Sequence, residues 1–105
     1  MKIRLSSSTP ARLDTVTVEC NVTANPPAHF KWMKQTSEDT KVILVSTSRT
    51  SITHRLTSTP GGPVSRSTLT ISKVEAADNG DYICEASNSP SSPALSANFT
   101  ICVIG

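Results

Sequence analysis

Aromatic residues are scarce. Phe30, Trp32, Tyr82 and Phe99 are the only ones in 105 residues, so each is expected to carry a large share of any core. Long apolar runs are missing too. No stretch approaches the roughly 20 residues that a membrane-spanning helix needs, so no membrane insertion by this segment is expected. Charge of one sign is not concentrated: ten Lys and Arg face eight Asp and Glu, a net charge of +2. No nucleic acid or anionic membrane is therefore expected as partner. The nearest basic cluster, Arg49, His54 and Arg55, reads as solvated charge or ion-pair partners. The two histidines, His29 and His54, have no Cys or carboxylate at ligand spacing. No Ser sits in a Gly-x-Ser-x-Gly elbow, and no helix start follows Gly61-Gly62 to cradle a phosphate. Neither enzymatic activity nor a metal or cofactor is expected.

Alternation with a period of two is present. Val16, Val18, Cys20 and Val22 fall on one side of residues 15–23, with Thr17, Glu19, Asn21 and Thr23 on the other. That is the pattern of a half-buried strand. A first edge strand around Ile3 and Leu5 is interrupted by Pro10, which cannot donate to a ladder. After the Asn25-Pro26-Pro27 turn, a strand at His29–Lys34 puts Phe30 and Trp32 on one face, and His29, Lys31 and Met33 on the other. Residues 35–40 read as a polar loop and Val42–Val45 as a short edge strand. A strand near 51–58 is followed by the turn signal Thr59-Pro60-Gly61-Gly62-Pro63. The next strand, at 66–72, points Leu69 and Ile71 inward, with Val74 closing the core below. One helical turn at 75–78 leads into a strand at 81–87 with Tyr82, Cys84 and Ala86 inward. A hairpin loop at Asn88–Pro93 precedes a last strand at 95–104, with Leu95, Ala97, Phe99, Ile101 and Val103 inward. Every regular element of consequence is a strand, and the chain length suits one domain, residues 1–105.

The motif Asp78-Asn79-Gly80-Asp81-Tyr82-Ile83-Cys84, with Cys20 and Trp32 upstream, resembles the core pattern of the immunoglobulin superfamily. Asn25-Pro26-Pro27 and Leu69-Thr70-Ile71 are most similar to its intermediate (I-set) type, found in adhesion molecules, guidance receptors and receptor ectodomains. The resemblance covers essentially the whole chain. It departs from that type in the Cys20–Cys84 spacing, which is longer than usual, with the excess between the Trp32 strand and the Leu69 strand. The resemblance implies an all-β, immunoglobulin-like, two-sheet antiparallel Greek-key sandwich. It implies a Cys20–Cys84 disulfide between the sheets, with two buried thiols as the alternative. It also implies that Trp32 packs on the sulfurs and that the Tyr82 hydroxyl bonds back to backbone near Asp78. An Arg opening the fifth strand, Arg49 in preference to Arg55, would pair with the acidic residue before Tyr82. Trp32, Tyr82, Asp78 and Leu69 are thus expected to be structural.

Two Asn-x-Ser/Thr sequons occur, at Asn21 and Asn98, both on outward faces and both candidates for N-glycosylation. A glycan on Asn98 would obstruct the outer face of its sheet. Cys102 is the odd cysteine and also falls outward. An interchain or interdomain bond, a free exposed thiol, or rotation inward by a β-bulge are all open. No signal peptide follows Met1, although an oxidised domain needs secretion. The expectation is a piece of a longer multidomain protein with Met1 as an added start. The implied function is a non-enzymatic extracellular recognition module of a cell-surface or secreted protein, in adhesion or receptor–ligand binding. Its partners would be proteins, homophilic or heterophilic, with neighbouring immunoglobulin or fibronectin-type domains. Residues Val42–Leu56 and the Asn88–Pro93 loop are the expected contact surfaces. The alternatives are a structural spacer in a tandem array, or the ligand-binding domain of a receptor kinase.

Overall fold

A computed structural model describes residues 2–88 and 94–104. Eight strands run in chain order: β1 (Lys2–Leu5), β2 (Val16–Thr23), β3 (His29–Ser37), β4 (Thr40–Ile43), β5 (Thr50–Thr59), β6 (Gly62–Ile71), β7 (Gly80–Ser87) and β8 (Leu95–Ile101). They form two antiparallel four-stranded sheets, ordered β1-β2-β6-β5 and β4-β3-β7-β8. The core lies between them. Val16, Val18, Cys20, Leu69 and Ile71 come from the first sheet; Trp32, Tyr82, Cys84, Phe99 and Ile101 come from the second. The arrangement is an immunoglobulin-like Greek-key sandwich.

The alternation in β2 is realised residue by residue: Val16, Val18, Cys20 and Val22 are buried, while Thr17, Glu19 and Asn21 are half-buried on the opposite side. Three aromatic rings interlock on the core side of the second sheet. Tyr82 stacks on Phe99 with ring centroids 5.2 Å apart, and Phe99 meets Trp32 edge-on at 6.0 Å. Offset and edge-on geometries of this kind suit the ring quadrupoles.

Several expected boundaries move. Residues 35–37 are strand, not loop, because β3 continues to Ser37 and pairs with β4, including Gln35 with Lys41. The edge strand is therefore Thr40–Ile43 rather than Val42–Val45. Alternation fails to mark it because all four of its residues are exposed, so no face selects for apolar side chains. The β5–β6 hairpin is longer than the turn signal implies, with Thr59 paired to Gly62. Gly62 takes φ of 116° at that corner, a region where a Cβ clashes. The strand expected at 66–72 thus starts four residues earlier. The last strand stops at Ile101, not 104. Beyond it, the chain pairs with the segment after β1 instead. Cys102 N–H donates to Ser8 O, Ile104 N–H to Pro10 O, and Arg12 N–H to Ile104 O. This parallel seam carries the N-terminal segment from the first sheet to the edge of the second. Leu95, expected inward, is 51% exposed. It pairs with Ala86 at the end of the sheet and opens onto a recess of about 290 Å³ shared with Val22 and Ala28.

Candidate binding surface

The two sheets are tied together at the centre. Cys20 on β2 and Cys84 on β7 form a disulfide with Cα atoms 6.8 Å apart and a sequence separation of 64. Closing a loop of that length stabilises by about 4 kcal/mol in the chain-entropy model. Trp32 lies directly across from Cys84 in the β3–β7 register. Its indole N–H is not left bare: it donates to Ser67 Oγ at 2.7 Å across the core. Ser65, also buried, accepts from the Ala28 N–H at 3.0 Å. Leu69 is fully buried on the same face of β6. Ser65 and Ser67 were not read as core from the sequence. Their signal was phase alone, since they share the parity of Leu69 and Ile71.

A second tie closes the lower end. The 3-10 turn Ala76–Asp78 places the Asp78 carboxylate to accept from the Glu75 N–H at 2.8 Å. Arg49, just before β5, grips both oxygens of that carboxylate at 3.2 Å each. It also donates to the Lys73 carbonyl at 2.9 Å. The hydrogen bond to Asp78, and then its charge, raise the Arg49 pKa above the usual guanidinium value. Tyr82 donates its hydroxyl to the Asp78 carbonyl at 2.6 Å. Burial first, and the Asp78 charge second, push the phenol up to about 12. Arg55 does not join this cluster. It lies on β5 opposite Arg66, while His54 stacks on Phe30 at 6.0 Å.

These ties lie between the sheets and at their lower end, and the remaining candidate residues lie on the outer side. On the outer side of the second sheet, cross-strand partners line up as Ile43–Met33–Ile83–Asn98, one residue from each strand. Met33 and Ile83 face away from the core yet are covered by their neighbours. Ile43, at 57% exposure, leaves the β4 end of that row open; Val42 at 48%, paired with Lys34 in the adjacent rung, and Val45 at 64% are exposed beside it. The apolar row was not assembled from sequence, because its members come from three separate strands. The stretch 42–45 falls within the expected Val42–Leu56 surface. Leu56 is exposed as well but belongs to β5 in the other sheet. Of the expected Asn88–Pro93 surface, residues 89–93 lie outside the described residues.

The two sequons differ in their surroundings. Asn98 is exposed on β8. Asn21 is half-buried, and its amide works at both ends: Nδ2 donates to Glu19 at 3.3 Å and Oδ1 accepts from Arg66 Nε at 2.7 Å. The Cys102 thiol is free and exposed, on the parallel seam with Ser8.

Comparison with known proteins follows the same geometry. A family model described as immunoglobulin domain matches residues 2–88. No curated protein matches the chain. Among solved structures, it is similar to a chain of the complex of Dpr2 Ig1-Ig2 with DIP-Theta Ig1-Ig3. The identity is 26%, the TM-score 0.73, and the match covers 98% of this chain and 32% of that one. It is also similar to the mouse nectin-like molecule 4 ectodomain at 17% identity, TM-score 0.65, covering 97% and 32%. A third similar structure is titin M4, at 23% identity, TM-score 0.67, covering 97% and 95%. The chain thus spans about a third of the length of the first two relatives. With the family model matched over most of its length, and the bridged two-sheet core in place, the chain belongs to the immunoglobulin domain family.

Proposed function

We propose that the chain is a non-enzymatic extracellular recognition module that binds another immunoglobulin-like domain, homophilically or heterophilically, through the β4 edge. The observation that carries this is the exposure of Val42, Ile43 and Val45 on and beside a strand with no outer partner among the described residues. Such an edge offers unpaired N–H and C=O groups beside apolar side chains, a combination suited to strand addition or to an apolar interface centre. The likeness to a complex between immunoglobulin domains supports a partner of that kind. The Cys20–Cys84 bridge supports an oxidising compartment.

Asn98 fits this reading as a glycan acceptor. It stands three strands from Ile43, about 14 Å at the usual strand spacing. A glycan there would obstruct the outer face from the β8 side, opposite the unpaired β4 edge. Peptide mass mapping of protein secreted by mammalian cells checks it, and an unmodified Asn98 removes that part of the reading.

The main test is a screen of the chain, displayed multivalently, against immunoglobulin-domain ectodomains including itself. The expected result is capture that falls at least about tenfold in an Ile43→Asp/Val45→Asp variant with unchanged circular dichroism. Capture that survives both substitutions refutes the β4 assignment. An absence of any partner favours a spacer role.

A further inference from the structure

The chain as a whole is nearly neutral, but its charge is not evenly placed. On the outer face of the β1-β2-β6-β5 sheet, the register aligns Lys2, Asn21, Arg66 and Arg55 as one row, a residue from each strand. The next row begins with Arg4 opposite Glu19. Lys2, Arg4, Arg55 and Arg66 against Glu19 leave this face at +3, where the entire chain carries +2. Apart from Gly62 and Val64, the other outward residues of the paired positions are Ser, Thr or Asn. A recess of about 450 Å³ opens beside this row, lined by Lys2, Asn21 and Arg66 together with the apolar Val22, Val64 and Leu95. A second recess, of about 220 Å³, touches Arg55 and Arg66 but is otherwise walled by Phe30, His54 and Leu56, so it opens between the sheets and not on this face.

We infer that this face binds a sulfated polysaccharide. Three cations in a row about 14 Å long, at the usual strand spacing, match a linear polyanion rather than a single ion. Guanidinium groups bind the oxygens of tetrahedral oxyanions through paired N–H donors, and the flanking Ser and Thr hydroxyls suit sugar hydroxyls. None of the outward residues of these strands is aromatic, and the Phe30–His54 stack lies on the inward side, which disfavours single-stranded nucleic acid. The one apolar outward side chain of this face, Val64, is half-buried, which disfavours insertion into a membrane surface. Glu19 holds Arg66 at 3.1 Å and Asn21 Oδ1 accepts from the same Nε at 2.7 Å, so the ligand engages the remaining guanidinium N–H groups and competes with a partly exposed ion pair of small worth. This inference concerns the sheet opposite the β4 surface and stands independently of it.

Heparin binding to the intact chain, followed by calorimetry at low salt, tests the assignment. Wild type is expected to bind, and Lys2→Ala/Arg55→Ala to bind at least about tenfold more weakly. Arg12→Gln/Lys73→Gln removes the same charge elsewhere and is expected to stay within about twofold, because those charges lie off the face. Glu19→Gln, which removes the carboxylate paired with Arg66, is expected to strengthen binding, an outcome that misfolding cannot mimic. The inference is overturned if wild type does not bind. It is equally overturned if the Arg12/Lys73 variant loses as much as the Lys2/Arg55 variant, if Glu19→Gln brings no gain, or if desulfated heparin or oligo-dT binds as well as heparin.

Discussion

Replacing Ser67 by Ala deletes one oxygen, yet the structure makes that oxygen expensive to lose. Ser67 is fully buried and Trp32 is 2% exposed. The indole N–H of Trp32 has its acceptor at 2.7 Å in Ser67 Oγ. Water cannot take over that role without opening the sandwich beside the Cys20–Cys84 bridge, because Ser67 is the cross-strand partner of Cys20. The net value of an ordinary hydrogen bond is about 1 kcal/mol, but stranding a buried donor adds its desolvation cost, so the expected loss is about 2 kcal/mol. For a domain of this size that corresponds to roughly 8 °C in melting temperature. Urea unfolding followed by Trp32 fluorescence measures it, with an unchanged m-value showing that the two end states are the same. The indole proton in an NMR spectrum should move upfield as its hydrogen bond is lost. Ser67→Ala within about 0.5 kcal/mol of wild type would refute the argument, since it would mean that the indole finds another acceptor or never needed one.

Two further outcomes follow from the lower tie. The folded chain holds the Tyr82 proton up to about pH 12, where an unperturbed phenol releases it near 10. The folded state therefore binds more protons than the unfolded one in that window, so stability falls as pH rises from 10 towards 12, by at most about 2 kcal/mol. Denaturation midpoints measured across that range check this, and Tyr82→Phe should abolish this component while costing about 1–2 kcal/mol at neutral pH through the unpaired Asp78 carbonyl. Gly80 sits at φ of 143° at the start of β7, and a Cβ there would lie 3.3 Å from Lys34 Cε. The lysine can swing aside but the backbone cannot, so Gly80→Ala should cost about 1 kcal/mol or more. A thermal melt matching wild type would contradict that.

The sequence by itself determined the parts of this protein that repeat along the chain. Alternation set the inward phase of β2, β6 and β7, because a strand buried on one face must place apolar residues at every second position. Asp78, Gly80, Tyr82 and Cys84 were legible as a group because a turn and the strand it feeds are local in sequence. Edges were poorly legible: β4 is exposed on both sides, so no burial shaped its composition. The inward face of β6 was read only in part, since Ser65 and Ser67 are polar residues that burial tolerates when a partner accepts or donates across the core. Only the tertiary structure decided what lies side by side. Met33, Ile43 and Ile83 become one row, and Lys2, Arg55 and Arg66 another, because register brings distant strands to within about 5 Å of their neighbours. The chain's own order marked Val42–Leu56 as a contact stretch but not which residues of other strands stand beside it, and it is on the outer faces, not in the bridged core, that binding is proposed.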